Sequence, residues 1–482
     1  MKNKISKIFL TGLTCASPLA LINTTSCSSS DKIQWANFES YMDDDLMDHL
    51  EEEYNVQFQW YTVTEMIETK FEKFYDLAVP SGYELVALWE KNMLQKIDWS
   101  KFNVHYTDPE SGESKLVTNS TDAMYLYHDN GESIQRMNDA FTTILRSEGT
   151  IKESESFNVL DYGVPYFEQK FTFCYKGDEI KFYNHETGLE TSTPTWSDIF
   201  YTISPANPHL DSRFNPSSGH RIAMLDDAKS LYDVSRIMQC IDDNEAVITN
   251  IIPEGDQIPQ MTNTFSHMTD YFKNKSDSWF ALNTDSGLIS RNLADSKGNS
   301  AAFAWSGDAI YAARGAEEFD HLNGDNFHVV TPYGASLDEI EYVVINNKNA
   351  KNTEKLDRIY KAVYDVCLDG AECDEESILD LEDPDDEDSR YKHWAMQNWD
   401  CTNYVPMLKS IYDAVSNPDC EYWDDVIDDD YSLELEAKTR QMFSSIVKAT
   451  DQDIADPIFG KTLTALQNSN THWAWLETRG KL

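Results

Sequence analysis

The stretch "YDLAVPSGYELV", residues 75–86, decides how the chain is read. An apolar run ends at Ser81-Gly82-Tyr83, and a helical pattern begins at Glu84. In open α/β sheets, ligands sit beyond the carboxyl ends of strands. A hydroxyl and a tyrosine ring at such an end are therefore candidates for holding a ligand.

Working outward, the elements alternate. "KIQWANF" (32–38) reads as a strand, and "MDDDLMDHLEEEYNV" reads as a helix carrying Met42, Leu46 and Leu50 at helical spacing. Its acids fall where the positive end of the helix dipole favours them. "VQFQWYTV" (56–63) is an alternating strand, "EMIETKFEKF" a helix, and the opening strand leads into the helix "YELVALWEKN". Strand–helix–strand–helix–strand is the signature of a parallel sheet with crossovers. Residues 105–160 read as an insertion with one helix, "DNGESIQRMNDAFTTIL".

A second block starts at "VPYFEQKFTFCYKGDEI". It runs through "TWSDIF", the strand "HRIAML", the helix "DAKSLYDVSRIM" and the strand–turn–helix "SAAFAWSGDAIYAARG". "EYVVINN" reads as a strand and "EKLDRIYKAVYDVC" as an amphipathic helix. Residues 254–300 are polar and turn-rich and read as a surface insertion. Residues 370–390 form an acidic insertion without EF-hand spacing, and 391–482 read as mostly helical.

The N-terminus belongs to targeting rather than fold. "MKNKISKIFLTGLTCASPLALINTTSC" has a lysine-rich start, an apolar stretch and small residues before Cys27. That is the pattern of a secretory signal. With "SSSD" following, it resembles a bacterial lipoprotein signal: residues 1–26 removed, Cys27 lipidated, and 27–31 a linker. Cys15 is a competing site, and an uncleaved anchor is the alternative. No later stretch reaches the ~18 apolar residues of a spanning helix.

The 482 residues carry 84 acids against 39 Lys and Arg, a net charge of −45. Such a surface repels nucleic acid and anionic lipid and attracts cations. Aromatics make up 12% of the chain, with 12 Trp and 25 Tyr. The six cysteines after Cys27 form no CxxC or zinc-ligand spacing, and their pairing is left open. No GxSxG, HExxH, P-loop or GxGxxG is present, so neither an enzyme nor a bound cofactor or metal is expected.

The order of the segments resembles the substrate-binding lipoproteins of polyamine (spermidine/putrescine) ABC transporters. The resemblance rests on "ANFESYMDDDLMDHLEEEYNV", "YDLAVPSGYELVALWEKNMLQKIDWSKF", "VPYFEQKFTFCYKGDEI", "TPTWSDIF", "AMLDDAKSLYDV", "AFAWSGDAIYAARG" and "YVVINNKNAKN". It implies an α/β, two-lobe periplasmic-binding-protein-like (type II) fold, with a hinge and a ligand cleft between the lobes. Lobe one would be 32–163 plus 342–398, and lobe two 164–341 plus 399–482. It further implies a monomer that binds a polyamine and delivers it to an ABC permease, anchored by lipid on the outer face of the cell membrane.

Carried over residue by residue, the resemblance implies a ligand site of Phe38, Tyr41, Ser81, Tyr83, Asp227, Trp305, Asp308, Glu341 and Trp399. Phe38 stands where Trp is common. Ser230 replaces an acid usual one turn after Asp227, and Glu339 stands where spermidine-type members carry Trp. The chemistry suits a polycation: carboxylates give charge-assisted hydrogen bonds to ammonium, and rings give cation–π attraction. Each residue also has a plainer reading. Asp227 fits a helix cap, Ser81 fits turn chemistry, and the rings fit a core. A binding protein for another solute, a sugar or a metal ion, and a surface lipoprotein serving adhesion are the alternatives.

Overall fold

The strand Gly163–Lys176 runs through the whole architecture. In the computed structural model, which describes residues 31–38, 41–61, 65–219, 221–243, 258–272, 280–383, 389–427, 431–448, 458–459 and 465–479, this strand serves two halves of one sheet. Its first half pairs antiparallel with Leu337–Ile345, Gly163 opposite Val344 and Lys170 opposite Asp338. Its second half pairs antiparallel with Ala301–Trp305 and with Phe327–Val330.

Outside these crossing strands each half is parallel. On one side Leu77–Ala78, Ile33–Phe38 and Val56–Tyr61 follow Leu337–Ile345. On the other side Ala301–Trp305, Ile222–Leu225 and Phe280–Asn283 follow in parallel. Parallel neighbours require crossover connections, and the helices supply them. The result is the two-lobe α/β fold expected from the sequence.

The period-2 alternation of a strand divides the cores. Phe171, Phe173 and Tyr175 join one apolar cluster with Trp196, Phe200 and Phe303. Cys174, between them, joins the other, with Trp35, Trp99, Trp399 and Trp423.

Local signals place the helices. Asp43 caps Asp44–Tyr54 by accepting from the Leu46 amide, and Asn55 ends it in the left-handed conformation. Thr195 and Asp198 form a reciprocal capping box on Trp196–Thr202. In the 105–160 segment, the helix Glu132–Ser147 buries Ile134, Met137, Phe141 and Leu145 against the first core.

The segment 254–300 departs from its reading as a surface insertion. Helix Ile258–Thr269 buries Met261, Phe265 and Met268 in the second core, and Phe280–Asn283 is that half-sheet's edge strand. Three large apolar groups, one turn apart, drive the burial, and the intervening Thr, Asn, Ser and His mask the stripe in sequence.

The tail is shared between the halves. Val405–Pro406 pairs with Phe167–Glu168, and Tyr412 stacks on His128 with centroids 4.4 Å apart. Helix Ala465–Arg479 instead joins the second core through Trp475, whose ring lies 5.1 Å from Phe265. Around the acidic insertion, Cys373 Sγ is 3.2 Å from His393 Nε2 and His393 Nδ1 is 3.1 Å from Asp369, tying it to the helix that follows. Cys174, Cys240, Cys367, Cys373, Cys401 and Cys420 are all free thiols. The signal segment and Cys27 lie outside the described residues.

Candidate functional site

The pairing of the two crossing strands is interrupted between Ile340 and Tyr342. Such irregularities re-aim a side chain. Here the residue at the break is Glu341, whose backbone bridges to Ser81, while the Tyr342 amide donates to the Pro80 carbonyl at 3.0 Å. The Pro80-Ser81-Gly82 turn thus docks where Glu341 leaves the ladder. Gly82 packs closely there: a Cβ would lie 2.9 Å from Met137 Sδ, and the methionine would have to shift to admit it.

Glu341 is 2% exposed. It accepts from the Tyr41 hydroxyl and from Gln169. Burial pushes its carboxyl up to about 8, aided by the nearby charge of Glu339 and opposed by the two hydrogen bonds.

Asp308 approaches from the second half. Strand Ala301–Trp305 runs directly into helix Ser306–Ala313, with Trp305 extended at the cap position. Asp308, in the first turn, accepts from the Trp305 amide and from the Tyr404 hydroxyl. Burial nonetheless pushes its carboxyl up to about 7. Among the described residues, no cationic side chain is among the groups acting on either carboxyl.

Aromatic rings join the two acids. Tyr404 lies edge-on to Tyr41 with centroids 4.9 Å apart. Tyr41 also meets Phe38 at 5.6 Å and Phe167 at 5.7 Å, and Phe38 meets Tyr61 at 4.5 Å. Phe38, Trp305 and Tyr404 are only partly buried. Trp305 stands edge-on to Phe171 at 5.3 Å.

Ser81 and Tyr83 face a different set of groups. Ser81 Oγ donates to Glu339 at 3.3 Å. The Lys229 ammonium lies 4.1 Å from the Tyr83 ring centroid, 3.1 Å from Asp233 and 3.9 Å from Glu339.

Two expected residues lie apart from these clusters. Asp227 is the cap of helix Ala228–Asp242, accepting from the Ser230 amide at 2.8 Å and its hydroxyl at 2.6 Å. Trp399 is fully buried, and its indole donates to the Tyr404 carbonyl at 2.6 Å. It therefore props the ring that does reach the acids. Sequence reasoning missed Tyr404, Tyr61, Phe167, Gln169 and Lys229. For Tyr404 the signal was its closeness to Trp399 in a loosely matched stretch; for Lys229 there was none. Among the described residues, no group of three or more His, Cys, Asp or Glu is placed to hold a metal ion.

A family model described as hypothetical lipoprotein (MG045 family) matches residues 1–419. No curated protein matches the chain. Among solved structures, one assigned as a spermidine/putrescine ABC transporter from Listeria monocytogenes is 15% identical, with a TM-score of 0.50, covering 93% of this chain and 99% of that one. The Tp0655 (TpPotD) lipoprotein of Treponema pallidum is 14% identical, with a TM-score of 0.48 and coverage of 93% and 99%. Thiaminase I from Bacillus thiaminolyticus is 10% identical, again with a TM-score of 0.48 and coverage of 93% and 99%. At such identities the likeness is one of fold.

Proposed function

The chain belongs to the hypothetical lipoprotein (MG045) family, and we propose that it is the solute-binding subunit of an ABC importer, capturing a small diamine such as putrescine. One observation carries the reading. Two buried carboxyls from different parts of the fold, Asp308 and Glu341, converge on the touching tyrosines 404 and 41 with no cation from the described residues beside them. Burying carboxylates without counter-charge is costly, and a ligand ammonium is the group that offsets it.

Binding involves no covalent step. Asp308 and Glu341 accept charge-assisted hydrogen bonds from ammonium. Phe38, Tyr41, Trp305 and Tyr404 offer faces or edges to the methylenes and cation–π attraction of ~0.5–2 kcal/mol each. Residues from both halves contribute, so lobe closure about the crossing strands would complete the site. The closed form would then dock on a permease. The net charge of −45 raises the local concentration of polycations, an effect that weakens with salt. Lipidation at Cys27 would hold the protein on the outer face of the membrane; among the described residues no helix is long and apolar enough to cross one.

The test is isothermal titration of the chain lacking residues 1–27 with putrescine, spermidine, cadaverine and a maltose control. Saturable one-to-one binding of a diamine at micromolar affinity or better supports the reading. Weak, many-site binding erased by salt means that the acidic surface alone collects polycations, and the reading fails.

A further inference from the structure

We propose that Lys229 is a built-in occupant of a second ammonium subsite, and that it restricts the ligand to a short diamine by filling the place where a longer polyamine would put its far end. The inference rests on the diamine reading above.

The structure repeats one chemistry twice. At Asp308 and Glu341, carboxyls and rings meet with no cation among the described residues. At Tyr83, Asp233 and Glu339 the same kinds of group meet around an ammonium, and that ammonium is the side chain of Lys229. The ring contact of 4.1 Å lies inside the ~6 Å reach of cation–π attraction. Lys229 is 6% exposed and Asp233 8% exposed, so the charge is enclosed rather than solvated.

The neighbouring acids follow one rule. Along the crossing strands Glu168 is paired with His128 at 3.0 Å, Asp338 with Lys170 at 3.3 Å and Glu339 with Lys229. Glu341, next in the row, has the Tyr41 hydroxyl and Gln169 instead of a cation. Glu339 and Glu341 lie two residues apart on one strand, about 6–7 Å along it, and the charge of Glu339 is felt at Glu341. The two subsites are therefore adjacent. A ligand ammonium enters the one that lacks a cation, and Lys229 closes the other.

Displacing Lys229 would strand a buried ammonium and two carboxylates, a costly outcome. A third ligand ammonium gains nothing there while Lys229 stays. Replacing the lysine with a shorter, neutral side chain should reopen the place and leave its carboxylates to a ligand ammonium.

The experiment titrates wild-type chain, Lys229→Met, Lys229→Arg and the double variant Lys229→Met/Asp233→Asn with putrescine, spermidine and 4-aminobutyrate. Wild type is expected to bind putrescine about tenfold or more tighter than spermidine. Lys229→Met should reverse that order, while Lys229→Arg, which keeps the charge, should preserve it. The double variant relieves the freed carboxylate and serves if Lys229→Met folds poorly. Equal or tighter binding of spermidine by wild type, or an unchanged ratio in both methionine variants, overturns this inference alone. Preference for 4-aminobutyrate would make Lys229 a receiver of carboxylate and also overturn it. If neither wild type nor variants bind any polyamine, the diamine reading fails and this inference falls with it.

Discussion

Tyr41 and Glu341, 300 positions apart in sequence, share a buried hydrogen bond in which the phenol donates to the carboxylate. The contact exists because the strand carrying Glu341 breaks its pairing at that residue. It links the loop after the first strand to the strand that crosses between the halves. Glu341→Gln keeps the shape and a hydrogen-bond acceptor but removes the charge. Putrescine affinity should fall by about 2 kcal/mol or more, because a buried ammonium is left underpaired. Titration calorimetry on the purified variant measures this, and an unchanged affinity removes Glu341 from the site.

Binding should release protons. Burial holds Asp308 up to about 7 and Glu341 up to about 8, so both are largely protonated at pH 6. An ammonium ligand favours the charged form and drives the protons off. Affinity should therefore rise at least tenfold between pH 6 and pH 8, flatten near pH 9, and fall again as the ligand's own ammonium groups lose their protons at pH ~10. Repeating the titration in buffers of different ionisation enthalpy counts the protons directly; a pH-independent affinity contradicts the assignment.

The same groups govern the stability of the ligand-free protein, with the opposite sense. A carboxyl whose folded value lies above its unfolded value of ~3.9 binds its proton more tightly in the folded state. Its contribution is full below about pH 4 and is lost as pH rises through the folded value. For Asp308, pushed up to about 7 by burial, the loss is on the order of 2–4 kcal/mol by pH 8. Asp308→Asn, neutral at every pH, should thus melt higher than wild type at pH 8 and near it at pH 4.5, while binding putrescine more weakly. Urea melts at the two pH values decide it.

Much of this arrangement was legible in the sequence, and the illegible part has physical causes. The Ser81-Gly82 turn and the start of a second block at "VPYFEQKFTFCYKGDEI" were local signals. That Gly163–Lys176 serves both halves of the sheet was not, because its partners Leu337–Ile345 and Ala301–Trp305 lie far away in sequence. Helix Ile258–Thr269 was misread because Met261, Phe265 and Met268 sit among polar residues whose burial only a neighbouring sheet can reveal. Asp227 reads in sequence both as a ligand carboxylate and as a helix cap, and the structure shows the cap, with the Ser230 amide and hydroxyl as its donors. Lys229 is a lysine in a helix, which by default reads as solvated. Its partners Tyr83 and Glu339 come from distant parts of the chain, so no local pattern announces them.

His185 supplies a stability switch at higher pH. Its Nδ1 is 2.7 Å from Asp198 and its Nε2 3.2 Å from Asp242. The bond to Asp198, then that to Asp242, pushes the imidazole up to about 9. The pairing is fully stabilising below the unfolded value of ~6.5 and is lost as pH rises through 9. After allowance for solvent screening it contributes about 1–2 kcal/mol. Between pH 6.5 and pH 9.5 wild type should lose this amount more than His185→Gln does, the losses from Asp308 and Glu341 being common to both. Parallel denaturant titrations would expose the difference.

Gly307 leaves the space that Tyr404 occupies. A Cβ there would lie 2.3 Å from Tyr404 Cδ1, well inside contact. The Tyr404 backbone has little freedom to retreat. Its carbonyl is held by the Trp399 indole at 2.6 Å, and the next residue, Val405, pairs with Glu168. In Gly307→Ala the ring must therefore swing, breaking its bond to Asp308 and its edge contact with Tyr41. Overpacking of this kind costs about 1–3 kcal/mol. Because Tyr404 is partly exposed, the strain should be relieved by ring movement rather than by unfolding. Gly307→Ala should thus weaken putrescine binding at least as much as Tyr404→Phe, which removes only the hydroxyl. Both variants should keep wild-type far-ultraviolet circular dichroism. If Gly307→Ala binds like wild type, the Tyr404 ring does not shape the site. If Tyr404→Phe alone is silent, the ring face matters and the hydrogen bond to Asp308 does not.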